Sequence, residues 1–361
     1  MLNEEEYWFF LTNIQGVFFD KIKKLLDFFG SPWEVYKADE KALLTAGLRA
    51  EDIDRIVYAK KNFREINKLD YLYNEGIRFL YPTHPAFPAK LREIPDMPYS
   101  LYVKGNLPDE NLPTLAMIGA RAFSEYGRAC AKGLASDFVG AGIQIISGLA
   151  RGIDSISMSS AIDAQGRCFG VLGCGIDIIY PPENFKLFER TLEKGGIISE
   201  FPLGTKPLSR NFPFRNRIIS ALSDLVLVVE AKKKSGSLHT VEYALSQGKD
   251  VFALPGRISD LSSEACNALI ADGAGIVTSS KDIFEYFGLE DKTQIFQNKK
   301  NNFSLAKDYE VLYSCVEFQP KTKDEIIEEA GIDYKAGLGA LIKLELDGLI
   351  YEPSPGYYCR N

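Results

Sequence analysis

LAMIGARAFSEYGRACAKGLASDFVGAGIQIISGLARGIDSISMSSAIDA, residues 115–164, decides the fold. It reads as a short apolar strand (LAMIG), a helix (SEYGRACAKGLASDFVG), a second apolar strand (IQIIS) and a second helix (GIDSISMSSAIDA). The strands are continuously apolar, not alternating, so both faces of the sheet must be covered. The same alternation runs on through CFGVLG, GIISE, LVLVV, DVFALPG and GIVT, each followed by a helical stretch. A strand-helix repeat of this kind predicts a parallel sheet wrapped by helices on both sides.

Outward from this block the pattern changes. Residues 1–75 read as short helices, with FDKIKKLLDFF closed by Gly30-Ser31-Pro32. Residues 76–112 carry Pro82, Pro85, Pro88, Pro95, Pro98 and Pro108 and read as an irregular connector packed on the central domain at 113–288. The polar stretch 289–302 reads as a linker. Residues 303–361 give three helices and two short strands joined by Ser-Pro-Gly, a winged-helix pattern.

Composition removes several function classes. The chain has 361 residues, 46% of them hydrophobic and 25% charged, which excludes a disordered or collagen-like protein. The apolar runs are short: Leu225 to Val229 lies between Asp224 and Glu230, so no membrane-spanning segment is expected. The start MLNEEEYWFF has acids where a secretory signal has a basic region. Six cysteines without a CxxC pair and only two histidines argue against a metal centre and fit a reducing cytoplasm. Net charge is −7, which disfavours indiscriminate binding of polyanions. Residues 201–241 depart from this, with seven basic side chains against Asp224 and Glu230. Lys232–Lys234 taken alone reads as a solvated charged face.

In an open parallel sheet, ligands bind outside the carboxyl ends of the strands. After the first strand comes Gly119-Ala120-Arg121-Ala122-Phe123-Ser124. Arg121 stands where the dinucleotide fingerprint needs a second glycine, and Ser147-Gly148 stand where a ribose-binding acid is needed. NAD and FAD are therefore disfavoured, and GxxxxGK[ST] is absent. No cofactor is expected. The motif reads either as a phosphate cup made by Gly119, Arg121 and Ser124 or as an ordinary capped helix. The loop Ser147–Asp154, with Gly148 and Gly152, is a second candidate anion turn, Asp154 reading as a helix cap. Tyr180 and Lys186 follow the third strand. Lys186 alone reads as a surface lysine.

NFPFRNRIIS (211–220) places Arg215, Asn216 and Arg217 beside Phe212 and Phe214. Guanidinium groups interleaved with rings suit a nucleic-acid strand. The other reading has the rings in the core and the arginines in internal ion pairs, and one of the two arginines is expected to be spent that way. Ser235-Gly236-Ser237 forms a third anion-friendly turn before a helix. No catalytic set assembles: His84 and His239 both read as structural.

The stretches IGARAFSEYG, ISGLARGID, LGCGIDIIYPPEN, ISEFPLG, NFPFRNRIISALSD, KSGSLHT and DVFALPGRI, in that order, resemble the DprA/Smf family (DNA-processing protein A), as does HPAFPAKLREIPDMPYSLYVKGNL. The resemblance covers residues 1–287 and extends to the C-terminal module. It implies an extended Rossmann-like, doubly wound sheet flanked by an N-terminal helical module of SAM or helix-hairpin-helix type and a C-terminal winged helix. It further implies a homodimer that binds single-stranded DNA without sequence preference and loads the RecA recombinase, mainly during natural transformation. The family's phosphate-gripping arginine falls on Arg121, a second cationic contact on Lys186, and its RNR segment on Arg215, Asn216 and Arg217.

This chain departs from the pattern in three places. Phe18 occupies the hairpin position where a glycine would admit a phosphate, so the N-terminal module reads as a packing or protein-contact unit. His239 stands in the turn SLHT where an aliphatic residue is expected. Residues 304–361 hold six basic and eleven acidic residues, so the winged helix reads as a protein contact and not a duplex reader. A competing enzyme reading rests on SGSLHTVE, which is similar in part to the GGxGTxxE turn of phosphoribohydrolase-type proteins, with Glu242 as the acid. A third reading is a purely structural or signalling dimer.

Overall fold

The structure is a computed structural model that describes residues 2–289 and 307–360. All but the first residue of the linker expected at 289–302 lies outside the described residues.

The parallel strands form where the apolar runs are: β3 (Thr114–Ile118), β4 (Gln144–Ser147), β5 (Cys168–Val171), β6 (Gly196–Ser199), β7 (Leu225–Val228), β8 (Asp250–Ala253) and β9 (Gly275–Ile276). Every residue of β3 to β7 is buried. Two-sided burial explains the continuous apolar sequence, at about 1.5–3 kcal/mol for each large aliphatic side chain. With two antiparallel strands, β1 (Ile77–Leu80) and β2 (Leu101–Gly105), at one edge, the strand order is β1-β2-β6-β5-β4-β3-β7-β8-β9. The order reverses between β3 and β7, which makes that gap the switch point of a doubly wound fold.

Residues 76–112 correct the expectation of an irregular connector. They contain β1 (Ile77–Leu80) and β2 (Leu101–Gly105), antiparallel to each other, and β2 pairs antiparallel with β6. The prolines sit between and beyond these strands, where no ladder hydrogen bond is lost. The short helix between them, Ala89–Arg92, ties this segment to the sheet through Lys90, whose Nζ lies 2.6 Å from Asp224.

The N-terminal helices are α1 (Glu4–Thr12), α2 (Phe19–Phe29), α3 (Pro32–Lys37), α4 (Glu40–Thr45), α5 (Ala50–Lys61), α6 (Phe63–Ile66) and α7 (Leu69–Asn74). Gly30 ends α2 in the left-handed region and Ser31 caps α3, with Pro32 in its first turn. These helices share one apolar core with the sheet. Trp8 stacks near Tyr81 and Tyr99, and the Tyr102 hydroxyl donates to Asn13 at 2.9 Å. In the hairpin Gly16–Phe19, Phe19 packs on Tyr99 and Phe214 while Phe18 faces solvent.

The C-terminal module has its own core, built on Leu312, Ile326, Leu341, Leu344 and Ile350. Its helices Lys307–Cys315, Lys323–Ala330 and Tyr334–Leu346 are joined by a three-stranded sheet ordered β10-β12-β11, formed by Lys321–Thr322 between the first two helices and by Tyr357–Arg360 and Ile350–Ser354 after the third.

Candidate functional site

A cleft of about 550 Å³ opens at the switch point. One wall is the turn after β3, Gly119–Ala122, and the other is the segment after β7, Lys232 to Ser237. Its floor and third wall come from the helix Asn211–Leu222 through Phe212, Arg215 and Asn216, with Tyr180 at the side. Arg121, Arg215, Lys232 and Lys234 line it against a single acid, Asp154. Four cations around one carboxylate give a cleft suited to anions on an acidic chain.

Glycine lets the two strand-end turns interlock. Gly152 has φ +83°, and a Cβ there would lie 2.2 Å from the Ala120 carbonyl oxygen. The Ile153 N–H donates to that same carbonyl at 3.2 Å. This close approach carries Arg121 out to the rim. Arg121 is exposed, and among the described residues it makes no ion pair. Its guanidinium lies 5.9 Å from the ring centre of Phe212, which packs 5.5 Å from Tyr180. The rim thus sets an uncommitted cation beside two partly exposed rings. Lys232 and Lys234 are likewise exposed without an ion pair among the described residues, and Lys233 lies 3.8 Å from Glu264.

The structure separates the predicted residues into rim, wall and outside. Gly119, Arg121, Asn216, Ser235 and Gly236 line the cleft. Asn216 reaches the Gly236 carbonyl at 3.5 Å, and the Ser235 and Ser237 hydroxyls are 2.7 Å apart.

Arg215 is wall, not rim. It is 3% exposed and donates to the carbonyls of Gly148 and Val171. Burial pushes its guanidinium down to about 10, with Asp154 pulling the other way, so it stays protonated at neutral pH. Burial also raises the Asp154 carboxyl, against the pull of Arg215. Asp154 accepts the Gly148 N–H at 3.0 Å, so it braces the loop after β4 instead of capping a helix. Gly148 is correspondingly a packing glycine and not an exposed anion turn: a Cβ there would lie 2.6 Å from Arg215 and 2.8 Å from Asp154. Leu149 beside it takes φ +53°, and its carbonyl accepts from Asn184 at 2.8 Å.

Arg217 is the arginine of the RNR segment that makes the expected internal ion pair, which corrects its place among the strand contacts. Its side chain is fully buried, both outer nitrogens reach Glu200 at 2.6 Å, and its guanidinium stacks 3.8 Å from the Phe214 ring centre. Its charge is spent inside the protein. Ser124 corrects the phosphate cup in the same way: its N–H donates to Glu230 at 2.9 Å, and its hydroxyl also bonds that carboxylate. Lys186 is exposed on the helix Phe185–Lys194, beyond the residues that line the cleft.

Sequence reasoning passed over Lys232, Lys234, Glu200 and Glu230. The signal for the lysines was their place directly after β7, the second strand of the switch point. The enzyme reading loses its acid: Glu242 is exposed, pairs with His239 at 3.0 Å, and does not line the cleft. Among the described residues no group of three or more His, Cys, Asp or Glu side chains converges on one point. No helix among them is long and apolar enough to cross a membrane.

Comparison with known proteins agrees with this architecture. The family profile described as DNA recombination-mediator protein A matches residues 78–288, and the DprA winged helix domain profile matches 298–356. Protein Smf of Escherichia coli is 34% identical over 360 residues, covering 98% of this chain and 95% of its own. The structure of DNA processing protein A from Streptococcus pneumoniae superposes with a TM-score of 0.66 at 31% identity, over 78% of this chain and 97% of that one. The Helicobacter pylori protein of the same name, whose structure describes a single-stranded DNA binding mode, gives 0.52 at 28% identity, over 58% and 95%. The chain therefore belongs to the DNA recombination-mediator protein A family, the DprA/Smf proteins of DNA processing.

Proposed function

We propose that the cleft between β3 and β7 holds single-stranded DNA. The observation that carries this reading is the set of uncommitted rim cations, Arg121, Lys232 and Lys234, beside the rings of Phe212 and Tyr180. Phosphates sit on the rim cations, and unpaired bases stack on the rings, which duplex DNA keeps inside its own stack. Lys186 extends the basic track beyond the cleft. Arg215, Gly148 and Asp154 hold the floor, while Arg217 and Ser124 hold the walls together from inside. The contacts are to backbone and ring faces, so binding is indifferent to sequence.

The protein acts without turnover. The cleft offers cations, glycine turns and rings, which grip a polyanion without reacting with it. Consistent with its family, we read the chain as a cytoplasmic homodimer that hands the strand to the RecA recombinase in recombination and natural transformation. RecA then supplies any ATP hydrolysis seen in a mixture. The acidic winged helix serves a protein contact.

The test is competition between a single strand and a blunt duplex of equal length for the purified protein. The single strand should win without ATP or magnesium. Equal affinity for the duplex would overturn the reading.

A further inference from the structure

Behind the Arg121 rim lies a second potential phosphate seat, and the protein fills it with its own side chain. The helix that follows β3, Glu125–Gly140, begins at the switch point, where folds of this type commonly seat the phosphate of a nucleotide on free N–H groups. Here Ser124 caps the helix, its hydroxyl accepting the Gly127 N–H at 3.1 Å, and the cap itself faces Glu230, two residues after β7. The Ser124 N–H donates to Oε2 at 2.9 Å, and the Ser124 hydroxyl donates to Oε1.

The carboxylate also occupies the space over Gly127, where a Cβ would lie 2.2 Å from Oε2. Glycine at 127 is therefore a consequence of Glu230. The residue is 1% exposed and makes no ion pair among the described residues. A buried carboxylate with no cation is costly unless hydrogen-bond donors and a helix N-terminus offset the cost, and both are present. Its backbone is fixed as well: the Ala120 N–H donates to the Glu230 carbonyl at 2.7 Å.

We propose that Glu230 is a specificity-determining residue, a built-in phosphate surrogate. It closes the helix seat to free nucleotides and dinucleotides and leaves incoming phosphates to the rim formed by Arg121, Lys232 and Lys234. A mononucleotide then meets single, screened contacts. A strand meets several at once and gains from their sum. The consequence for ligand choice rests on the strand-binding reading above; the occupied seat rests on the geometry alone.

The experiment compares the full-length wild type with Glu230→Ala and Glu230→Ser, both of which vacate the seat. The probe is inorganic pyrophosphate, read by thermal melting against chloride of equal ionic strength. A labelled single-stranded oligonucleotide is titrated in parallel. Both variants should melt below the wild type in chloride. Saturating pyrophosphate should raise the melting temperature of at least one variant by about 2–4 °C and that of the wild type by less than about 1 °C. Should Glu230→Ala fail to fold, Glu230→Ser decides by the same readout. Absence of a pyrophosphate-specific rise in both variants, or an equal rise in the wild type, overturns the proposal. Failure of the wild type to bind the oligonucleotide overturns the strand reading and leaves the occupied seat to be judged by pyrophosphate alone.

Discussion

Arg121 and Arg217 stand at the same edge of one sheet and have opposite fates. Arg121 leaves the turn after β3, is exposed, and makes no ion pair among the described residues. Arg217, in the helix after β6, is fully buried and clamped at two points to Glu200. Arg215 lies between them, buried but at the cleft floor. An arginine near a helix start can hold a ligand only if the protein's own acids have left its charge unspent. That depends on carboxylates brought in from other strands, and the arginine's immediate neighbours in the chain do not reveal it.

The comparison is broken or sharpened most strongly at Arg217. Arg217→Ala strands the Glu200 carboxylate in the interior and should destabilise the protein by about 3–5 kcal/mol, measured by urea unfolding. A variant of normal stability that binds DNA poorly would instead make Arg217 a strand contact. Arg121→Ala should do the reverse. It should weaken single-strand binding by about 1.5–3 kcal/mol while stability stays within about 0.5 kcal/mol of the wild type. Collapse of its thermal melt would place Arg121 with Arg217 as a structural residue.

Lys232→Ala combined with Lys234→Ala should cost less affinity and show mainly in the salt dependence, lowering the log–log slope by about 0.7 for each phosphate that the protein no longer neutralises. Lys186→Ala should move in the same direction by a smaller amount. Removal of residues 303–361 should change single-strand affinity least. That module carries six basic against eleven acidic residues, and a tenfold loss on truncation would assign it a direct role in holding DNA.

The parallel sheet was legible because two-sided burial writes itself into the chain as unbroken apolar runs. LVLVV and IQIIS can be read directly. β1 and β2 were not legible. IRFL and LYVKG are short, lie among prolines, and acquire their strand character only by pairing with each other and with β6. In the site, G-x-R-x-x-S drew attention to Arg121, which lines the cleft. The fate of Ser124 was hidden, since its partner Glu230 lies 106 residues further on. Which arginine of the RNR segment is spent internally was hidden for the same reason: interleaved rings and arginines fit a strand-binding surface and a stacked internal ion pair equally well until Glu200 is in place. Lys232 and Lys234 looked like a solvated run, and only the strand order shows that they face Arg121 across the switch point.

Strand phosphates, on this reading, are held by the uncommitted rim cations. The most direct test is the salt dependence of single-stranded oligonucleotide affinity for the wild type and for Arg121→Ala, with thermal melting of both proteins. We predict weaker binding by Arg121→Ala, a slope shallower by about 0.7, and unchanged melting. Parallel lines of equal affinity would contradict it.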